Sequence, residues 1–326
     1  MIRRRLCLGA AAVALAVPLA GCVTVHGERE NVPSVRPAEA ARVVAHFTAV
    51  NNQATRTYGE RYIRQIEAGP LGAIDSAGIR SAHSQHPEGA RSSSPLVLSD
   101  TRFLIPRQVG WPKFFVADSA TNRANGSRWL LLFRRDSAAQ PWMADYLAVI
   151  SPQALPRLAT DQDGYLLPVP AAQTGLLVPP GQLSAAYSAY LQSGTDARDF
   201  APGGSTTQLR ADRAARARTA NSVTQYADQA DTAGDFAPAA LRTKDGGALV
   251  FFGTRHQSRS TYRAGYDLTI DAGTRALMTG APKTSVTLSH VGQQLVTVPR
   301  TAAGGAAAGR VEFVSRLVGL VGAQGA

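Results

Sequence analysis

The chain has 326 residues, enough for two domains with cores of their own, and a formal net charge of +11. Lysine occurs only at Lys113, Lys244 and Lys283, so arginine carries most of the positive charge. The only cysteines are Cys7 and Cys22, and both fall in the first 22 residues. A mature chain that keeps only Cys22 has no disulfide, zinc–thiolate site or iron–sulfur cluster.

The N-terminus has the layout of an export signal. Arg3–Arg5 form a basic start, and an uncharged run from Leu6 to Ala20 follows that is too short to span a bilayer. Residues 1–21 are therefore predicted to be a signal peptide. Its removal leaves a net charge of about +8 and places the rest of the chain outside the cytoplasm, which argues against a nucleic-acid partner.

The tetrapeptide Leu19-Ala20-Gly21-Cys22 resembles the lipobox of bacterial prolipoproteins. This resemblance implies cleavage between Gly21 and Cys22 and a diacylglyceryl group, typically with palmitate-like acyl chains, on the Cys22 sulfur. It implies a lipid-anchored protein at the extracytoplasmic face of the cell membrane. The alternative is a plain secreted protein in which Cys22 is incidental.

The first domain is predicted to cover residues 37–160, after a lipidated tether over residues 22–36. A helix begins near Pro37, and one face of it is apolar; the residues on that face are Ala40, Val43, Val44, Phe47 and Val50. Four strands with short turns follow and predict an antiparallel sheet; they are Leu96–Ile105, Lys113–Asp118, Arg128–Arg135 and Pro141–Ile150.

The second half repeats this order after a Pro-rich linker at residues 161–180. Leu183, Ala186, Tyr187 and Tyr190 lie 143 positions after the apolar face of the first helix. Further strands are predicted at 248–252, 285–291, 294–298 and 311–317. The fold class is therefore α+β, with two tandem helix-on-antiparallel-sheet units, the second at 181–326. Such units resemble the cystatin-like and NTF2-like folds; coincidence of two common patterns is the alternative.

Three stretches of the body resemble an uncharacterised family of actinobacterial lipoproteins. They are GWPKFFVAD (Gly110–Asp118), RWLLLFRRDS (Arg128–Ser137) and LRTKDGGALVFFGTRH (Leu241–His256). The resemblance spans nearly the whole mature chain. It implies no activity and no catalytic residues.

Motifs that carry catalysis or metal binding are absent from the sequence. There is no nucleophile elbow, zincin motif or phosphate-binding loop. His83 and His86 could share a helix face as metal ligands, but Pro87 favours a loop, and Asp161-Gln-Asp-Gly164 has only half of a calcium loop. We predict no metal, no cofactor and no catalytic residue. The aromatic residues of the first half are expected in the core.

Four arginines lie close together in LRADRAARART: Arg210, Arg213, Arg216 and Arg218. On a helix the first three form a basic stripe, which suits pairing with phosphate or carboxylate groups. They are the candidate anion-binding residues, and a merely solvated helix face is the alternative.

The function expected from these features is non-catalytic binding or scaffolding in the cell envelope. The expected partners are the membrane, reached through the lipid, and a cell-wall polymer or envelope protein. The alternative is an envelope hydrolase with a non-local site, in which His46, His83, His256 or His290 meets a carboxylate and a hydroxyl. A purely structural protein is a third alternative.

Overall fold

The computed structural model describes residues 30–90, 94–123, 126–301 and 309–326. Gly21, Cys22 and His26 lie outside the described residues, as does most of the predicted tether. The helices are α1 Pro37–Thr57, α2 Glu60–Ile66, α3 Gly69–Gln85, α4 Leu183–Ser193, α5 Thr207–Arg216 and α6 Ala272–Ala276. The strands are β1 Val32–Pro33, β2 Leu98–Leu104, β3 Arg107–Gln108, β4 Lys113–Thr121, β5 Arg128–Arg135, β6 Met143–Ile150, β7 Ser222–Asp231, β8 Ala239–Arg242, β9 Ala248–Tyr262, β10 Met278–Thr279, β11 Ser285–Val298 and β12 Glu312–Gly325.

The first sheet has the order β2-β4-β5-β6, with every neighbouring pair antiparallel. Its central strands are apolar on both faces, because side chains alternate across a strand and both faces are covered. On the outer face Phe115, Leu131 and Phe133 pack against α1. The helix contributes Ala40, Val44 and Phe47, and the Phe47 and Phe133 rings meet edge to face at 5.6 Å.

The second sheet has the order β10-β12-β11-β9-β7, and β8 also pairs with β9. Its outer face is covered by α4, which buries Leu183, Tyr187 and Tyr190. The Tyr187 ring lies 6.1 Å from that of Phe252 on β9. Each sheet therefore carries a helix on its outer side.

The inner faces of the two sheets pack against each other. The first sheet contributes Leu130, Leu132 and Tyr146, and the second contributes Leu249 and Phe251. The Tyr146 and Phe251 rings are 6.0 Å apart. The body is thus a four-layer arrangement of helix, sheet, sheet and helix, and burial of these apolar side chains is its main source of stability.

The second sheet continues beyond the first. Strands β9, β11 and β12 have 14 or 15 residues, whereas β4, β5 and β6 have eight or nine. We call the extension the overhang; it comprises β7 with residues 253–262 of β9, 285–294 of β11 and 316–325 of β12. Along β7 and this part of β9, burial alternates residue by residue instead of being continuous.

The described chain is fixed to the body close to its first residue. Val32 and Pro33 pair with Gln108 and Arg107, and the Ser34 amide donates to the Pro106 carbonyl at 2.9 Å. Among the described residues, no helix has the length and apolar content needed to cross a bilayer.

The mixed helix-and-sheet class with antiparallel sheets is confirmed. The segment 161–180 bonds to both halves of the chain: the Leu166 amide donates to Ile105, which directly follows β2, and the Val169 amide donates to Ala240 of β8, each at 2.9 Å. The division of the chain into two domains with a linker there stays a prediction.

Three local differences from expectation have physical causes. Helix α3 extends through His83, where the sequence predicts a loop. The helix was missed there because its 17 residues show only a weak apolar face. Strand β11 is one strand across Gly292 rather than two. Strand β7 and the second half of β9 were not predicted, because their polar sequences lack the apolar run that marks a buried strand.

Candidate functional site

The outer face of β9 changes from apolar to polar along the strand. Val250 and Phe252 face α4, and the next residues on the same side are Thr254, His256 and Ser258, because side chains on one face recur every second residue. Helix α5 lies over this polar part and directs Arg213 towards it. The change from α4 to α5 therefore marks where the apolar core ends and the polar site begins.

Four polar side chains form a continuous hydrogen-bonded chain under α5. Asp228 Oδ1 lies 2.6 Å from His256 Nδ1, and the other ring nitrogen, Nε2, lies 2.9 Å from Thr254 Oγ1. Gln294 Nε2 donates to that hydroxyl at 2.9 Å. Arg213 donates to both oxygens of Asp228, at 2.7 and 2.9 Å, which is the bidentate geometry of a strong ion pair.

The shifted pKa values of His256 and Asp228 indicate which atoms of this network carry the protons. Burial lowers the pKa of His256 against the opposing effect of Asp228, so the imidazole is neutral near pH 7. Burial would raise the pKa of Asp228, but hydrogen bonds from His256 and Arg213 hold it below its usual value. His256 Nδ1–H therefore donates to an ionised Asp228, and Nε2 accepts the Thr254 hydroxyl proton.

The space for this network depends on Gly292 of β11. A Cβ atom built there would lie 2.5 Å from Gln294 Nε2, and 3.0 Å from both His256 Nε2 and Thr254 Oγ1. Only glycine leaves room for the imidazole and hydroxyl to meet. The glycine inside a strand is thus a requirement of the polar cluster.

A cavity of about 250 Å³ opens beside the network. Its wall is rich in basic side chains: Arg213, Arg216, Arg316, His256 and His290. Burial, then the neighbouring His256, Arg316 and Arg213, lowers the pKa of His290. Both histidines are therefore neutral near pH 7, and the charge of the cavity comes from arginine.

Arg316 is the cation of this cavity that lacks an acidic counterpart. Arg213 pairs with Asp228, and Arg216 lies 3.5 Å from Asp212. Within the described ranges no carboxylate pairs with Arg316, which lies beside the Tyr187 hydroxyl and whose buried Nε has no hydrogen-bond partner. An anion entering the cavity would supply the missing negative charge.

The structure separates the four predicted anion-binding arginines. Arg213 and Arg216 line the cavity, whereas Arg210 lies over the Tyr190 ring at 5.3 Å and Arg218 is exposed beyond the end of α5. Anion binding by these residues stays a prediction. The structure adds Arg316, His256 and His290, which come from three other strands.

The other sequence candidates lie elsewhere. His46, His83 and His86 are exposed, and His86 Nδ1 is 3.6 Å from Glu88. Asp161 accepts the amides of Asp163 and Tyr165, as in a turn. In the part of the chain that the structure describes, no cluster of three or more His, Cys, Asp or Glu residues could hold a metal ion.

The site residues missed in the sequence are Asp228, Thr254, Gln294 and Arg316. They stand 22 or more positions apart, so no local spacing relates them. The one available signal was the replacement of apolar residues by Thr254, His256 and Ser258 at every second position of one strand.

Comparison with known proteins identifies relatives along almost the whole chain. An uncharacterized lipoprotein of Streptomyces coelicolor is 41% identical over 319 residues, covering 98% of this chain and 94% of the relative. An uncharacterized lipoprotein of Streptomyces avermitilis is 42% identical, covering 97% and 93%. A second S. coelicolor lipoprotein, also uncharacterized, is 26% identical, covering 91% and 89%. No solved structure matches the chain.

A family model described as a domain of unknown function, DUF8094, matches residues 31–325, which is nearly the full described body. The resemblance to actinobacterial lipoproteins is thereby confirmed. The chain belongs to the DUF8094 family, alongside these lipoproteins of Streptomyces.

Proposed function

We propose that the protein is a lipid-anchored lipoprotein at the extracytoplasmic face of the cell membrane, and that its body binds an anionic envelope ligand without catalysis. The names of the relatives and the Leu19–Cys22 tetrapeptide support the anchor. Two acyl chains on Cys22 would hold the protein stably, since each buried methylene contributes about 0.8 kcal/mol.

The observation that carries the binding role is Arg316. A partly buried guanidinium without a carboxylate partner destabilises the folded protein unless a ligand supplies the negative charge. At about 250 Å³ the cavity is smaller than most sites for whole metabolites. It suits one phosphate or carboxylate group projecting from a larger wall polymer or envelope partner, held by Arg316 with Arg216 and His290.

Titration with inorganic phosphate at low ionic strength tests this proposal. The variant Arg316→Met keeps the packing of the stem but removes the charge, and we expect at least a tenfold loss of affinity by calorimetry. Arg42→Met is the matched control, because Arg42 is exposed on α1 and lies outside the cavity. Equal phosphate affinity of the wild type and Arg316→Met would refute the site.

The affinity should also depend on pH. The pKa values of His256 and His290 are lowered in the free protein, and a bound anion favours their protonated forms. Affinity for sulfate, which stays a dianion over this range, should therefore rise as the pH falls from 7 towards 5, and His290→Gln should flatten that rise. A pH-independent affinity for sulfate would place the anion away from the histidines.

A second candidate function is hydrolysis, and one observation favours it. Asp228, His256 and Thr254 form a carboxylate–imidazole–hydroxyl chain with contacts of 2.6 and 2.9 Å. Thr254 is however fully buried, does not line the cavity, and already accepts a hydrogen bond from Gln294. A substrate carbonyl has no route to its oxygen, so binding is the better supported role.

An ester such as p-nitrophenyl acetate separates the two functions. For a hydrolase, Thr254→Val would abolish turnover while Thr254→Ser would retain it. For a binding protein, neither the wild type nor Thr254→Ser hydrolyses the ester above the rate of a His256→Gln control. Phosphate binding should survive the Thr254→Ser change.

The anchor has its own test. Cys22→Ser should abolish incorporation of labelled palmitate, whereas Cys7→Ser should leave it intact, because Cys7 would depart with the signal peptide. Labelling of Cys22→Ser at the wild-type level would contradict lipidation at this position.

The two halves are further proposed to be tandem units of one cystatin-like or NTF2-like plan. Each contributes a sheet whose outer face packs against a helix, and Val44 of α1 and Tyr187 of α4, which are 143 positions apart, are both buried against their sheets. The halves differ in strand number, four against six, so the duplication would be ancient.

A further inference from the structure

A second concave site lies on the inner face of the overhang, on the opposite side of the sheet from the basic cavity. It is a groove of about 620 Å³ that crosses β7, β9, β11 and β12. Because successive side chains of a strand point to opposite faces, residues next in sequence to His256 and His290 line it, among them Gln257 and Ser289.

The strand register arranges the polar side chains in two rows. In one row Gln225, Arg259, Thr287 and Gln324 stand side by side on the four strands. In the next row the corresponding residues are Ala227, Gln257, Ser289 and Gly322. With neighbouring strands about 4.8 Å apart, a row of four side chains spans about 14 Å.

These side chains leave most of their hydrogen-bonding capacity unused within the protein. Gln257 reaches Ser289 and Arg259 reaches Ser285 only at 3.5 Å, the limit for a hydrogen bond. Across the described ranges, no side-chain hydrogen bond is formed by Gln225, Thr287 or Gln324, and no carboxylate pairs with Arg259. The groups are therefore available to a ligand.

The floor of the groove is open. Ala227 and Gly322 are the small members of the second row, and a Cβ atom built at Gly322 would meet no atom within 4 Å. Leu277 and Thr279 form a wall where β10 joins the sheet. A ligand can thus lie flat across the strands between the row of longer side chains and this wall.

The chemistry of the lining selects among ligand classes. Amide and hydroxyl groups both donate and accept hydrogen bonds, as sugar hydroxyls do. An extended peptide would pair with the backbone at a sheet edge, whereas here the ligand meets the face of strands whose backbone is already paired. A lipid would require an apolar lining, and a nucleic acid would require more than one cation.

We propose that this groove binds a short acidic oligosaccharide. The amide and hydroxyl side chains of the two rows hydrogen-bond to the sugar hydroxyls, and Arg259 pairs with a carboxylate of the glycan. The site does not depend on anion binding at the outer cavity, because no charged side chain is shared between the two.

The test uses the full-length protein in lipid nanodiscs on a panel of short oligosaccharides, acidic uronate-containing ones and neutral ones of the same length. We expect retention of at least one acidic oligosaccharide. Gly322→Trp should abolish it by filling the groove. The matched control Gly78→Trp, at an equally open position on α3, should leave it unchanged.

Two further variants separate the alternatives. Arg259→Met should weaken binding of the acidic oligosaccharide at least tenfold without weakening neutral sugars, and Arg316→Met should have no effect, which distinguishes this site from the outer cavity. Binding of no oligosaccharide in the panel, or binding that survives Gly322→Trp, would overturn the proposal. Both tryptophan variants should show the wild-type circular dichroism spectrum.

Discussion

We call the first sheet, together with the residues of β9, β11 and β12 outside the overhang, the sandwiched part. The sandwiched part and the overhang consist of the same kind of strand, but their side chains have different surroundings. In β4 and β5 most residues are buried, because a sheet covers one face and a helix the other. In the overhang the same strand geometry presents polar side chains to both faces, at the network under α5 and in the inner groove.

This difference separates the part of the sheet that stabilises the fold from the part that carries the two proposed binding sites. The ends of β9 and β11 that carry Phe251 and Leu295 hold the two sheets together. The other ends carry His256, His290 and Arg259, whose side chains line cavities. Equivalent changes in the two parts should therefore have different effects.

The largest effect is expected from shortening a core side chain. Leu132→Ala, in the fully buried layer between the sheets, should lower the free energy of unfolding by about 3–5 kcal/mol. Leu288→Ala, at a half-buried position of the overhang, should cost about 1 kcal/mol. Guanidinium unfolding measures both, and equal losses would show that the overhang belongs to the same core.

A smaller but substantial effect is expected from the polar network. Asp228→Asn leaves Arg213 without its bidentate partner and should destabilise the protein by about 3 kcal/mol. Asp212→Asn, which removes a solvent-exposed partner of Arg216, is the control and should cost less than about 0.5 kcal/mol. If Asp228→Asn were as mild as the control, the network would be dispensable for folding.

The double variant Asp228→Asn with Arg213→Met measures the interaction energy between the two side chains. Removing both members of the buried pair should be less damaging than the sum of the single changes, because no unpaired charge remains. Strict additivity would mean that the pair does not interact energetically.

The smallest effect should be a stabilisation, and it concerns Glu67, which forms a β-bridge to Ala144 of β6. Glu67, buried between α2 and α3, lies beside Asp75; burial and that neighbour raise the pKa of Glu67, and burial raises the pKa of Asp75 to about 6. The folded protein thus holds protons that the unfolded chain releases above about pH 4, so stability falls as the pH rises from about 4 through 6.

Glu67→Gln removes the part of this loss that Glu67 causes. We expect the variant to exceed the wild type by about 1–2 kcal/mol at pH 8 and to match it near pH 4, in parallel denaturant titrations. Glu312→Gln, at an exposed position of β12, should change stability at neither pH. Destabilisation by Glu67→Gln at pH 8 would mean that the carboxylate is stabilised in a way that burial does not reveal.

The sandwiched part was largely predictable from the sequence, and so were residues 285–291 of β11, but β7 and residues 253–262 of β9 were not. The apolar face of α1 and the apolar runs of β4 and β5 could be predicted because buried positions require apolar side chains. These residues recur with the period of a helix or form a short continuous run in a buried strand. Along β7 and residues 253–262 of β9, most residues on both faces are polar. The sequence there does not show the alternation of apolar and polar residues that marks a strand. Partners in this region, such as Asp228 with His256, meet only through strand pairing 28 positions apart.

The arginine stripe illustrates the limit of local reasoning. The spacing correctly predicted that Arg213 and Arg216 are neighbours on one helix face, and both line the cavity. Whether Arg213 is available to a ligand depends on Asp228, which lies on a strand beyond the helix. Arg316 belongs to no motif, and only the three-dimensional arrangement shows that it lacks an acidic partner.

The pairing of Val32 and Pro33 with Gln108 and Arg107 also limits where the body can work. It fixes the point at which the chain leaves the folded domain, and the proposed lipid on Cys22 lies only nine residues upstream of Asn31. Nine residues extend to at most about 30 Å. An anchored molecule could therefore sample only ligands in the layer next to the bilayer, and a polymer could reach it only where that polymer approaches the membrane.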